Sequence, residues 1–263
     1  MREPFDFSEC LSLVETRSEA FREAVRRSTD LGERVPGCPA WSLRDLVIHL
    51  GQVHLAWSLV VLRGPADAPP DQLGDGAEPS GDLLEWSREC TDLYLSRLRE
   101  AGPDRGCWGW WSPEVAALSA ATVARHQVLE VAVHTFDAQE AVGVPEPVPT
   151  RVALDGVEEF VTVGLCSMGP WPHQPATVRL ACDEGPVWSL ELTDAGTTVD
   201  EGGPDDGTPP DLTLRGSASE LLLALHSRSP MESLEVEGDR KVFEQLRAWP
   251  PLSPDDQEEP PED

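Results

Sequence analysis

Basic residues are scarce in this sequence. Twenty Lys and Arg stand against 48 Asp and Glu, for a formal net charge of −28, and Lys241 is the only lysine. A field of that sign repels phosphate backbones and anionic lipid surfaces, which argues against nucleic acid or a membrane as partner. Closely spaced cysteines are also missing. Cys10, Cys38, Cys90, Cys107, Cys166 and Cys182 form no CxxC pair, and no two lie closer than 16 residues. That excludes a zinc-knuckle spacing and a dense secreted disulfide framework. The opening MREPFDFSEC lacks an apolar signal core, and no stretch reaches eighteen uninterrupted apolar residues. No internal repeat is visible. The expectation is a soluble, cytosolic protein with reduced thiols.

What is present is a chain of 263 residues, 40% hydrophobic, long enough for one large domain or two ordinary ones. The first half reads as helices. Residues 5–29 space Phe5, Leu11, Val14, Phe21 and Val25 helically. LGERVPGCPAW reads as a turn. Ser42, with Asp45 three residues on, forms a capping box that opens a second helix through LRDLVIHLGQVHLAWSLVVLR. GPADAPPDQLGDGAEPSG is a linker. A third helix is expected from Asp82 to Glu100. A fourth is expected to start between Ser112 and Ser119 and to run to Val142, with Gly143 as its stop. Four such helices predict a four-helix bundle over residues 1–147. Beyond GVPEPVPT the pattern changes to α+β over residues 148–250: a short helix near Leu154–Leu165, strands at ATVRLACD, VWSLELT, TTVDE, DLTLRG and SLEVEGD, and helices at SASELLLALHSR and RKVFEQLRAW. Residues 251–263 are acidic and Pro-rich and read as a disordered tail.

The informative segment is QVLEVAVHTFD, residues 127–137. At about 100° per residue, Glu130 lies roughly 40° from His134 and Asp137 roughly 60°, on the same side. His126 and Gln127 fall near the same stripe. Taken alone, the stripe is the ordinary solvated face of an amphipathic helix. The rest of the circumference is apolar, however, which marks a buried helix. His49 adds to this: its helical neighbours Leu46, Val53 and Trp57 are all apolar, so it points with the core side of the second helix. A buried Glu is costly unless paired or metal-bound. Glu130 and His134 with His49 would make two imidazoles and a carboxylate, a set that leaves coordination positions open. Asp137 would accept the other ring N–H of a ligand histidine. His54, about 140° from His49, is a weaker candidate. His173 and His226 lack partners at ligand spacing. The tryptophans of CWGWWSP are read as packing a loop, with a pocket wall as the alternative, and nothing in the sequence marks the neighbouring Cys107 thiol as activated.

GCPAWSLRDLVIHLGQVH together with EVAVHTFDAQEAVG resembles the mycothiol-dependent maleylpyruvate isomerase family, one of the DinB-like metal-binding bundles. The second half, in DGVEEF, VWSLEL, LRGSASELLLALHSR and LEVEGD, resembles that family's sterol-carrier-like C-terminal module. The resemblance covers about residues 8–248. It implies a divalent metal, most often zinc, on His49, Glu130 and His134, with Asp137 matching the trailing Asp of the motif. Relatives often carry a histidine directly before the motif glutamate, where this chain has Leu129. The resemblance also implies mycothiol as thiol cosubstrate. A thiolate adding to an activated double bond, followed by rotation and elimination, isomerises it; attack on a carbon bearing a leaving group gives a thiol conjugate. A carboxylate-bearing electrophile calls for a cation, and Arg228 in LHSRSP is preferred over Arg215. Two rival readings stay open: a metal-dependent hydrolase on the same bundle, and a non-catalytic protein that holds a small apolar ligand. Neither substrate nor oligomeric state is legible.

Overall fold

Ser42 does two jobs. It ends a short strand, and its hydroxyl accepts the Asp45 backbone N–H while the Asp45 carboxylate accepts the Ser42 N–H, which starts the second helix. In the structure, a computed structural model that describes residues 4–70, 79, 81–202 and 208–249, such caps delimit most of the helices. The chain divides into two compact units, Met1–Val148 and Pro149–Asp263.

The first unit is built from α1 (Phe7–Arg26), β1 (Arg34–Val35), β2 (Cys38–Ser42), α2 (Leu43–Arg63), α3 (Leu83–Ala101) and α4 (Ala120–Ala141). Asp6, Ser42, Asp82 and Ser119 cap the four helices, each side chain accepting a backbone N–H three residues on. Gly143 takes φ 75° just past α4, a conformation natural to glycine. The expected helices are all there, with α1 shorter at both ends than its apolar spacing implied. Within the bundle α2 packs chiefly on α3 and α1 on α4. Phe21, Leu43, Leu46, Leu50, Tyr94, Leu95 and Leu98 form its centre. By length and composition α2 could cross a membrane; in the bundle that apolarity is taken up by burial of Leu43, Leu46, Val47, Leu50, Val60 and Val61.

The segment read as a turn, LGERVPGCPAW, instead folds into an antiparallel hairpin of β1 and β2, with Arg34 opposite Ser42, Val35 opposite Cys38 and an irregular register between them. Its strands are too short, and Pro39 too disruptive, for an alternating pattern to show.

The second unit contains α5 (Thr150–Glu159), which continues through a π-helical stretch to Leu165, then β3 (Ala176–Cys182), β4 (Val187–Thr193), β5 (Gly196–Glu201), β6 (Leu212–Gly216), α6 (Ala218–Leu225), β7 (Glu235–Gly238) and α7 (Arg240–Ala248). The sheet order is β5-β4-β3-β6-β7, antiparallel except for the parallel β3–β6 pair. Val178, Leu180, Trp188, Leu190, Leu192, Leu212 and Leu214 are buried at alternate positions. α5 starts a turn earlier than its apolar pattern implied, directly after Pro149. Half of the linker near residues 64–81, and the acidic tail, lie outside the described residues.

Candidate metal centre

α4 presents Glu130 and His134 one turn apart, and α2 faces them with His49. Nε2 of His134 stands 3.1 Å from Glu130 Oε1, and Nε2 of His49 stands 3.4 Å from the same oxygen. All three ligand atoms lie within 4.8 Å of one another. Donors on a tetrahedral ion with bonds near 2.0–2.1 Å stand about 3.3 Å apart. The residues therefore fit a divalent cation, and three protein donors would leave the fourth tetrahedral position to an exogenous one. The Glu130 side chain is 21% exposed, so the cluster opens to solvent.

Behind it, Asp137 is fully buried and its Oδ2 sits 2.8 Å from His134 Nδ1. The carboxylate fixes the ring with Nδ1 protonated and Nε2 aimed at the cluster. In the metal-free protein, burial works against the charge on His134, but the Glu130 charge and the hydrogen bonds to Asp137 and Glu130 outweigh it and raise the imidazolium pKa to about 9. Burial likewise opposes the charge of Glu130, and the two imidazoles override it, holding the carboxyl well below its usual range.

An Asp137→Asn variant should lose about 10- to 100-fold in metal affinity. The amide N–H would donate to Nδ1 and so favour the tautomer that puts a proton on Nε2. Competition with a chromophoric chelator checks this, and unchanged affinity would show that Asp137 does not set the tautomer.

The other polar residues on this side of α4 do not join the cluster. Gln127 is fully buried, and neither of its amide atoms has a hydrogen-bond partner among the described residues. His126 lies instead among Trp57, Trp110 and Trp111, with ring centroids 5.5–6.0 Å apart. Trp57 in turn stacks on Trp108 and Trp111, so three tryptophans of CWGWWSP pack the loop against the bundle. Burial pushes the adjacent Cys107 thiol up to about 11, away from reactivity. His54 is a core histidine: it stacks on Tyr94 at 5.3 Å, its Nδ1 is 3.2 Å from Thr91 Oγ1, and burial drives its pKa down to about 3.

In the second unit, Arg228 follows α6 and its Nη1 donates to the His226 carbonyl at 2.8 Å. Arg215 is exposed on β6, 3.9 Å from Glu235. His226 packs edge-on against Phe160, and His173 against Trp171.

Two residues at the cluster went unread in the sequence. The Trp41 ring centroid lies 4.5 Å from that of His49 and 6.2 Å from that of His134, tilted against both, so an indole on β2 borders the cluster. Its signal was its place eight residues ahead of His49. Cys38, also on β2, places Sγ 3.8 Å from Asp137 Oδ2. No local pattern links residues 99 positions apart.

A helical bundle that gathers two imidazoles and a carboxylate from facing helices, followed by a separate α+β unit, defines a class of two-unit protein with a candidate metal centre in its helical unit. The model of the mycothiol maleylpyruvate isomerase N-terminal domain matches residues 11–139, and that of the family's C-terminal domain matches residues 151–245. The chain belongs to this family of enzymes. Among solved structures, it is similar to the mycothiol-dependent maleylpyruvate isomerase (TM-score 0.59) and to a point mutant of it (TM-score 0.60). Each is 11% identical, with 89% of this chain and 93% of that chain covered. At that identity the likeness establishes a shared fold. No curated protein matches the sequence.

Proposed function

We propose that the protein is a metal-dependent enzyme that uses a low-molecular-weight thiol, mycothiol, to isomerise or S-conjugate a small electrophilic, carboxylate-bearing substrate in the cytosol. The observation that carries this reading is the convergence of His49 Nε2, His134 Nε2 and Glu130 Oε1, in a family named for mycothiol-dependent isomerisation. A divalent ion held there, zinc by the character of the donors, would supply Lewis acidity and favour a thiolate over a thiol at neutral pH. The residues of the chain do the rest. Glu130 offsets part of the cationic charge. Asp137 keeps the His134 proton on Nδ1. Trp41 packs beside the His49 imidazole and borders the cluster with an apolar ring. The test is turnover of a cis-configured α,β-unsaturated carboxylate by zinc-loaded protein, with and without mycothiol. Turnover only with the thiol supports the reading. Hydrolytic turnover without thiol replaces it with the hydrolase, and a lack of both leaves only ligand binding.

Arg228 is the residue we assign to the substrate carboxylate. Arg228→Ala should raise KM for an acid substrate and leave metal content unchanged; identical KM and kcat would remove Arg228 from the reaction.

Metal binding must displace the His134 proton. The folded, metal-free pKa near 9 therefore makes apparent zinc affinity fall by up to about tenfold per pH unit below that value. Because this pKa is raised from 6.5, the group stabilises the metal-free fold fully below its unfolded pKa, and that stabilisation is lost as pH rises through about 9. Chelator competition and thermal melts from about pH 6 to pH 10 check both signs. A flat zinc affinity would show that His134 is not a ligand.

A further inference from the structure

Three donors of a different kind meet behind the candidate centre. Cys38 Sγ is 3.8 Å from Asp137 Oδ2, His134 Nδ1 is 2.8 Å from the same oxygen, and all three lie within 4.8 Å of one another. They come from two elements, the β1–β2 hairpin and α4. Cys38 is half-buried, whereas Asp137 is sealed inside. In the metal-free protein the S–H and N–H protons point at one carboxylate oxygen. Sulfur and oxygen donors on a tetrahedral ion with bonds of 2.0–2.3 Å stand about 3.5 Å apart, close to the spacing already present. A thiolate, an imidazole and a carboxylate together select a thiophilic divalent ion over a hard one.

We propose that Cys38, Asp137 and His134 form a second cation site, specific for thiophilic divalent ions such as cadmium or excess zinc, whose filling excludes a metal at His49, Glu130 and His134. The exclusion, which rests on the metal reading above, follows from imidazole chemistry. A neutral ring has one lone pair, so the nitrogen that does not bind a metal carries the proton. With Nε2 as ligand, Nδ1–H donates to Asp137. With Nδ1 as ligand, the proton sits on Nε2 and points at Glu130, leaving the first centre two donors. Loading the second site of the metal-free protein sends both the thiol proton and the Nδ1 proton of the imidazolium to solvent, and leaves the neutral ring protonated on Nε2. Excess thiophilic metal thereby inactivates the centre without blocking its mouth.

The experiment is a cadmium titration of metal-free protein, read by the ultraviolet thiolate-to-cadmium charge-transfer band, on wild type, Cys38→Ser and His49→Ala, with thermal melts to confirm folding. Wild type and His49→Ala should give a band that saturates at one ion per chain. Cys38→Ser should fall to the background of the other five cysteines. A band as strong in Cys38→Ser, or none in wild type, overturns the site. In zinc-loaded wild type, the band should grow in step with zinc release. A full band with zinc retained overturns the exclusion and leaves the site standing. The His49→Ala arm keeps the test independent of the first centre, since that variant lacks one of its ligands and retains all three donors used here.

Discussion

Alanine in place of His134 should yield protein purified without bound metal, where the wild type carries about one ion per chain. Elemental mass spectrometry reads the difference directly. Nε2 of His134 and Nε2 of His49 both approach Glu130 Oε1, so the loss of His134 leaves one imidazole and one carboxylate of the set. Two donors hold a divalent ion weakly, and thiol-dependent turnover should fall with the metal, by more than the Asp137→Asn variant loses. The substitution has a second effect. It removes the ring N–H beside the buried Asp137 carboxylate, and leaving such a group less satisfied costs about 1–3 kcal/mol. A fall in stability would thus be mixed with the loss of metal. Glu130→Gln separates the two, because it keeps shape and burial and removes only the charge. The same loss of metal is expected there with a smaller change in melting temperature. Full metal content and activity in His134→Ala, His49→Ala and Glu130→Gln would sink the metal reading and return the stripe to an ordinary helix face.

The candidate centre was partly legible because helical periodicity is a local property. It gives the angle of a side chain about its axis, and Glu130, His134 and Asp137 share an angle and adjacent turns. Periodicity does not give height. Gln127 points within about 20° of His134 but lies roughly 10 Å away along the axis, so it ends buried, with no hydrogen-bond partner among the described residues, instead of at the cluster. His126, further still, ends among tryptophans. The cap of α2 was legible for a similar reason: Ser42 and Asp45 are three residues apart and form reciprocal hydrogen bonds, as Ser217 and Glu220 also do at α6. The hairpin was not legible, because its register is fixed by packing of Val35 into the bundle and not by any alternation. With it went Trp41 and Cys38, whose roles depend on where that hairpin lands. Arg228 shows a further limit. A motif can nominate a cation, but its own turn already takes part of its hydrogen-bonding capacity.

The same distinction between angle and contact governs Gly51. Mid-helix, Gly→Ala ordinarily gains about 1 kcal/mol of helix propensity. Here the new Cβ would stand 2.2 and 2.4 Å from Cζ3 and Cη2 of Trp86. Trp86 is a buried, rigid ring on α3, so the strain cannot be relieved by the end of a flexible chain. Overpacking of this kind costs about 1–3 kcal/mol, occasionally more, and at contacts this short the cost should exceed the propensity gain. Gly51→Ala should therefore lower the melting temperature by several degrees, at about 2–4 °C per kcal/mol for a chain of this size. The effect reaches the centre, because Gly51 is two residues from His49 and any widening of α2 from α3 shifts that ligand against Glu130. Zinc affinity should fall along with stability. The paired variant Gly51→Ala with Trp86→Leu removes the ring that the methyl meets. It should recover more stability than the two single effects add to, the signature of a direct contact. Strict additivity, or an unchanged melting temperature for Gly51→Ala alone, would mean that α2 and α3 are not held at the spacing that only a glycine permits.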